Sequence, residues 1–175
     1  MRTHRILSIT LCAAAFAAPA WGQKSPTTDV TFAQKAAIGG MTEVEASKLA
    51  VQKASDPKVK SFAQHMVADH TKANEALKKA ASAEGVTLPA GLDAEHKDKV
   101  AKLEGLSGKE FDDAYKTQMV DDHKTTVAMF EDKVKENPKT PIGSFAADTL
   151  PTLRTHREMA EDLAGGTPPE KKKPY

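Results

Sequence analysis

The chain of 175 residues carries 25 Lys and Arg against 24 Asp and Glu, and a net charge of +1 gives no electrostatic reason to bind nucleic acid. Its length suits one domain with a substantial core, and a single cysteine rules out an internal disulfide framework. No later apolar run approaches the ~20 residues of a membrane helix, and no series of alternating ~10-residue segments suggests an outer-membrane barrel, so integral membrane insertion is not expected.

The first residues, "MRTHRILSITLCAAAFAAPAWGQ", have a basic start at Arg2 and Arg5, an apolar stretch from Ile6 to Ala18, and small residues at Ala18 and Ala20. That order reads as a secretory signal peptide over 1–22, with cleavage near Ala20 or Gly22. Bulky Leu11 before Cys12 argues against a lipoprotein-type site. The expected mature protein is periplasmic or otherwise exported and keeps no cysteine. Losing Arg2 and Arg5 moves its net charge from +1 to −1. Without a disulfide, it must be held by its core or by a metal.

Low aromatic content, abundant alanine and lysine, and the lack of β-branched runs favour helix in every long segment. The first predicted helix runs from Asp29 to about Ala54, with Ala36, Gly40, Glu43, Ser47, Ala50 and Ala54 on one stripe. Gly39 and Gly40 each cost a helix interior roughly 1 kcal/mol, an expense whose return is close approach to a neighbour. Ser55 and Asp56 can cap a second helix that starts at Pro57 and ends near Gly85. Its stripe is Val59, Phe62, Met66, His70, Ala73 and Leu77. The segment from Gly85 to Gly108 is too long for a tight hairpin, although Asp93 to Glu104 can form a short helix. It reads as a crossover that leaves the second and third long helices parallel. Ser107 with Glu110 has the capping-box pattern and opens the third long helix, which stops at Asn137 and Pro138. Its stripe is Phe111, Tyr115, Met119, His123, Thr126 (or Val127) and Phe130. The fourth begins around Thr140 and Pro141 and ends at Gly165 and Gly166, with a kink expected at Pro151. Its stripe is Phe145, Thr149, Leu153 (or Thr152), His156, Ala160 and Leu163. The predicted fold is all-α: a ferritin-like four-helix bundle over 29–164, with a long crossover between helices 2 and 3, followed by a disordered basic tail over 165–175.

The pentapeptide "MVADH" ending at His70 recurs as "MVDDH" ending at His123. Both histidines fall on apolar stripes near mid-helix, and so does His156. Counting ~1.5 Å of rise per residue from each turn brings all three to similar depth, with Glu43 facing them from the first helix. Glu45 is the rival acid, but it lies about 200° around the helix from Glu43. One carboxylate and three imidazoles suit a single divalent transition metal, whether zinc, copper or iron. A buried Glu43 without a cation or a proton-donating partner would be several kcal/mol unfavourable. Asp69 and Asp122 each precede an inward histidine and sit about 100° away, where they can reach a histidine on an adjacent helix. The bland reading is a dry Glu–His hydrogen-bond cluster in a metal-free structural or stress-related envelope interaction protein. Met66, Met119 and Met159 read as core filler, and His65 reads as exposed.

Four segments, "GGMTEVEASKLAVQKAS", "FAQHMVADHTKANEAL", "YKTQMVDDHKTTVAMFE" and "FAADTLPTLRTHREMA", resemble the bacterial domain of unknown function 4142 family over roughly Val30 to Leu163. The resemblance implies an exported ferritin-like bundle of the bacterial envelope. The outer-membrane label often attached to such sequences finds no support in this chain as integral insertion. The di-iron pattern of ferritin-like enzymes needs a glutamate three residues before a histidine on two helices. Here Val67, Val120 and Leu153 occupy those places, so ferroxidase and di-iron chemistry are disfavoured. No serine–histidine–acid set or thiol remains in the mature chain, and any reaction would depend on the metal.

Overall fold

A computed structural model describes residues 26–165; the expected leader over 1–22 and the tail from 166 onward lie outside them. Among the described residues there are five helices and no strand: α1 (Pro26–Lys53), α2 (Pro57–Ala83), α3 (Ala94–Glu104), α4 (Gly108–Glu136) and α5 (Pro141–Leu163). None of these helices is long and apolar enough to cross a membrane.

The start signals operate largely as the sequence indicates. The Asp56 carboxylate accepts from Lys58 N at 2.8 Å ahead of Pro57, and Thr140 Oγ1 accepts from Gly143 N at 3.0 Å ahead of α5. Asp93 caps α3 by accepting from His96 N at 2.9 Å. These bonds satisfy amides that have no partner inside the helix. The capping box at Ser107 does not form, because Ser107 makes no side-chain cap bond. Gly108 begins α4 with φ +57°, a left-handed first step that an ordinary capped start lacks. Helix α5 continues through Pro151.

The bundle is built from neighbouring pairs: α1 packs on α2 and α4, and α5 packs on α4 and α2, while α3 lies mainly against α1. Three polar contacts tie the ends of these helices. At one end, buried Asp112 near the start of α4 accepts from Ser55 N at 3.0 Å and Asp56 N at 2.8 Å, and it also binds the Ser55 hydroxyl. At the other end, Glu84 after α2 accepts from Ile142 N at 2.7 Å, and Lys133 of α4 pairs with Asp29 of α1. The starts of α2 and α4 are therefore at the same end of the bundle, and the last turn of α4 lies beside the first of α1.

Burial follows most of the predicted stripes, with Val127 rather than Thr126 and Leu153 rather than Thr152 buried, while Ala73, Thr149 and Leu163 are only partly covered. It also divides in two. One apolar cluster contains Phe32, Leu77, Phe130, Ile142 and Phe145, and the other contains Val59, Phe62, Met66, Phe111, Tyr115 and Met119. Burying each large side chain stabilises the fold by roughly 1.5–3 kcal/mol. Between these clusters in the order of residues along α1, α2, α4 and α5 come Glu43, His70, His123 and His156.

The two neighbouring glycines of α1 part company. A Cβ on Gly40 would sit 2.2 Å from Asn74 Oδ1 of α2, whereas one on Gly39 would meet nothing within 4 Å. Gly40 therefore makes room for the Asn74 side chain of α2, whereas nothing packs at Gly39. Gly143 is more tightly held, since an added Cβ would lie 1.7 Å from the Asn137 carbonyl oxygen. Alanine ordinarily gains about 1 kcal/mol over glycine in a helix. Gly143→Ala is nonetheless expected to lower stability by about 2 kcal/mol in urea denaturation, since the obstacle is backbone. An unchanged midpoint would contradict this packing.

Candidate metal centre

Each long helix contributes one side chain to the polar layer. Glu43 is 2% exposed, His70 4%, His123 0% and His156 3%, so all four are withheld from bulk water. Glu45, the rival acid on α1, is exposed, as is His65. The imidazole centroids are 5.2–5.6 Å apart, and the three rings offer nitrogens that all lie within 4.8 Å of one another.

Hydrogen-bond partners orient every ring. His70 Nδ1 is 2.9 Å from Glu43 Oε2. His123 Nδ1 is 2.9 Å from the Met119 carbonyl oxygen, one turn back on its own helix, and 3.6 Å from Glu43 Oε1. His156 Nε2 is 3.0 Å from Asp69 Oδ2. A carbonyl or a carboxylate only accepts, so each of these ring nitrogens is the N–H donor in the neutral imidazole, an assignment made from the partners. His123 Nε2 and His156 Nδ1 then carry lone pairs, and His70 Nε2 carries one when that ring is neutral and an N–H when it is protonated. His156 Nδ1 stands 3.3 Å from His70 Nε2, and buried His123 Nε2 has no hydrogen-bond partner.

Electrostatics reinforce this arrangement. Burial alone would raise the Glu43 carboxyl, but the adjacent His70 and His123 and the hydrogen bond from His70 hold it down at about 2. Burial pulls His70 down, but the Glu43 charge and hydrogen bond overcome it and leave its pKa raised. Burial dominates at His123 and lowers it, with His70 adding to the effect against the pull of Glu43. At His156, burial and neighbouring His70 press the pKa down to about 4 despite Asp69. Glu43 is thus ionised, and His123 and His156 are neutral at pH 7, the state in which imidazole donates a lone pair.

The structure brings Glu43, His70, His123 and His156 together, and Asp69 joins them across the α2–α5 contact. Asp122 does not: its carboxylate turns outward to Lys99 Nζ at 2.6 Å. Two features escape a reading by stripes. Glu43 approaches His70 from the Nδ1 side, and the Met119 carbonyl fixes His123. Both depend on side-chain rotation, which periodicity does not encode. One turn below, Ser47 and Tyr115 share a buried 2.7 Å hydrogen bond, a pairing their stripe positions allow but do not specify.

A family model described as Domain of unknown function (DUF4142) matches residues 13–163. No curated protein matches the chain. Two solved structures of DUF305 proteins are similar to it. A fragment from Deinococcus radiodurans has a TM-score of 0.69 and 17% identity, over 81% of this chain and 97% of that one. A protein from Streptomyces coelicolor has a TM-score of 0.65 and 16% identity, over 83% of this chain and 98% of that one. At these identities the likeness concerns the fold.

Proposed function

The chain belongs to the domain of unknown function 4142 family, and from that premise we propose that it is an exported bundle that binds one divalent transition metal between its four long helices. The metal is zinc, copper or iron, and the centre consists of Glu43, His70, His123 and His156. One observation carries this reading: three buried imidazoles offer nitrogens within 4.8 Å of one another, and one nitrogen of each ring is already held by an acceptor. Lone pairs facing each other at 3.3 Å repel unless a cation or a proton lies between them. Imidazoles whose second nitrogen is bound to a carboxylate or a carbonyl are the usual surroundings of a metal. The three histidines are the direct donors, and Glu43 orients His70 and balances charge. Three protein donors leave a zinc-like ion a further coordination position.

In this reading the bundle is ferritin-like, with the segment through α3 serving as the crossover that puts the starts of α2 and α4 at one end. The leader composition of residues 1–22 supports export, and the Streptomyces neighbour is described as a candidate secreted protein. Residues 29–164 form the bundle domain in this reading.

A second reading has support in the 3.3 Å contact, which also fits a proton shared between His70 and His156 in a metal-free structural protein. Metal content separates the two. Untagged protein from cells is expected to carry about one metal per chain. After chelation, adding the right ion at ~100 times its Kd should restore about 3 kcal/mol of stability. No stoichiometric metal, and no thermal shift with zinc, copper or iron, would leave only the proton-bridged cluster.

A further inference from the structure

Gly39 has no packing reason to be glycine, since a Cβ there would meet nothing. It does border open space. A groove of about 420 Å³ between α1, α3 and α4 is lined by Gly39, with Thr42 and Glu43 in the same wall and Asp93, Glu95 and Asp122 opposite. A second cavity of about 30 Å³, room for a water molecule, shares Gly39 and Glu43 with the groove and touches His70. Glu43 thus spans the two regions. Its Oε2 holds His70, while its Oε1, on a side chain only 3% exposed, lacks a hydrogen-bond partner.

We propose that this groove is the passage by which a divalent cation reaches the three histidines, with Glu43 Oε1 as the carboxylate that receives it on the way. The inference rests on the metal-binding reading and adds a route to it. Four carboxylates line the groove against Lys35, Lys99 and His96, with Asp122 paired to Lys99 and Asp93 held by His96 Nδ1 at 2.7 Å. The remaining excess of negative charge draws cations toward a wall of low dielectric, where field lines concentrate. Glu43 Oε1, which has no hydrogen bond and stands 3.6 Å from His123 Nδ1, offers a first inner contact, and His70 Nε2 lies one ring away. Gly39 keeps the narrow part open, which gives its conformational cost in α1 a purpose that helix packing does not.

The test is the rate at which cobalt(II) is taken up by untagged, chelator-stripped protein, followed by stopped-flow visible absorbance. Gly39→Leu puts a good helix former into the opening without touching a histidine. It is expected to slow uptake and release by about tenfold each, with stoichiometry and equilibrium affinity close to those of the parent. Gly39→Ala should change either rate by no more than about twofold. Should Gly39→Leu fold poorly by circular dichroism, Glu95→Lys carries the same test at an exposed position of the wall. That variant is expected to slow uptake by about threefold at low salt and to flatten its salt dependence. Parental rates in the folded variant would overturn the passage while leaving the metal centre intact. Acceleration by Asp69→Ala instead would move the way in to the α2–α5 face. A parent that binds no cobalt at equilibrium would overturn the metal reading itself, and the passage with it.

Discussion

Glu43→Ala is expected to lower the stability of chelator-treated protein by about 3–5 kcal/mol at neutral pH, because it strips His70 of its buried partner. Glu43→Gln should be milder, since its amide oxygen can still accept from His70 Nδ1 while the charge is gone. The pH dependence separates the two contributions. Glu43 titrates in the folded protein at about 2 rather than its ordinary 4.5, so its charged form contributes stability above pH 4.5 that is lost as pH falls toward 2. His156 adds an earlier decline. The unfolded chain takes up a proton near 6.5, whereas the folded one resists until about 4. Urea midpoints of the parent should therefore fall from pH 6.5 to 4 and again from 4.5 to 2, and Glu43→Gln should flatten the lower limb alone. A parent whose midpoint stays level from pH 6.5 to 2 would refute the buried carboxylate–imidazole layer.

The second large effect is on metal affinity. Apparent binding free energies of ~10–16 kcal/mol for zinc in small structural sites, spread over four ligands, assign about 2.5–4 kcal/mol to each. His123→Leu is accordingly expected to weaken binding several hundredfold. Loss of an outer partner typically weakens binding only ~10–100-fold, the range expected for Glu43→Gln and for Asp69→Asn. Calorimetric titration of the three variants with zinc would rank them. Equal losses for Glu43→Gln and His123→Leu would make Glu43 a direct ligand, which is how its helix position first presents it. In stripped protein, His123→Leu should cost little or even stabilise, because it removes a buried nitrogen that has no partner. A dry hydrogen-bond cluster predicts no metal effect from any of them.

The bundle was legible because helix periodicity and helix starts are local. Pro57 after Asp56, and Pro141 after Thr140, mark two boundaries from neighbouring residues alone. The depth of the three histidines was legible too, since rise per residue and turn position suffice to align them. The direction in which each ring presents its nitrogens was not. That depends on rotamers chosen by the Met119 carbonyl, Asp69 and Glu43 together. Asp122 shows the same limit, for it occupies the helix position equivalent to Asp69 but has Lys99 of α3 within reach. Nothing in the pentapeptide repeat announces that an 11-residue helix will stand beside one copy. Nor does the Gly39–Gly40 pair say which glycine admits a neighbour and which borders a void.

The ties at the ends of the bundle bear on the tolerance of the centre. Asp112 is eleven residues from His123, about 16 Å along α4, and Lys133 lies ten residues to the other side. A slip of α4 by one turn would displace His123 by ~5.4 Å, and it would have to break the bonds of Asp112 to the α1–α2 connection and of Lys133 to Asp29. Those two residues act as stops on either side of the imidazole layer, and they hold its donor spacing against sliding. Ligand sites need their donors fixed to within ~0.5 Å if geometry is to discriminate between ions. In the proposed metal centre, selectivity would therefore be a mechanical property set at the ends of the molecule.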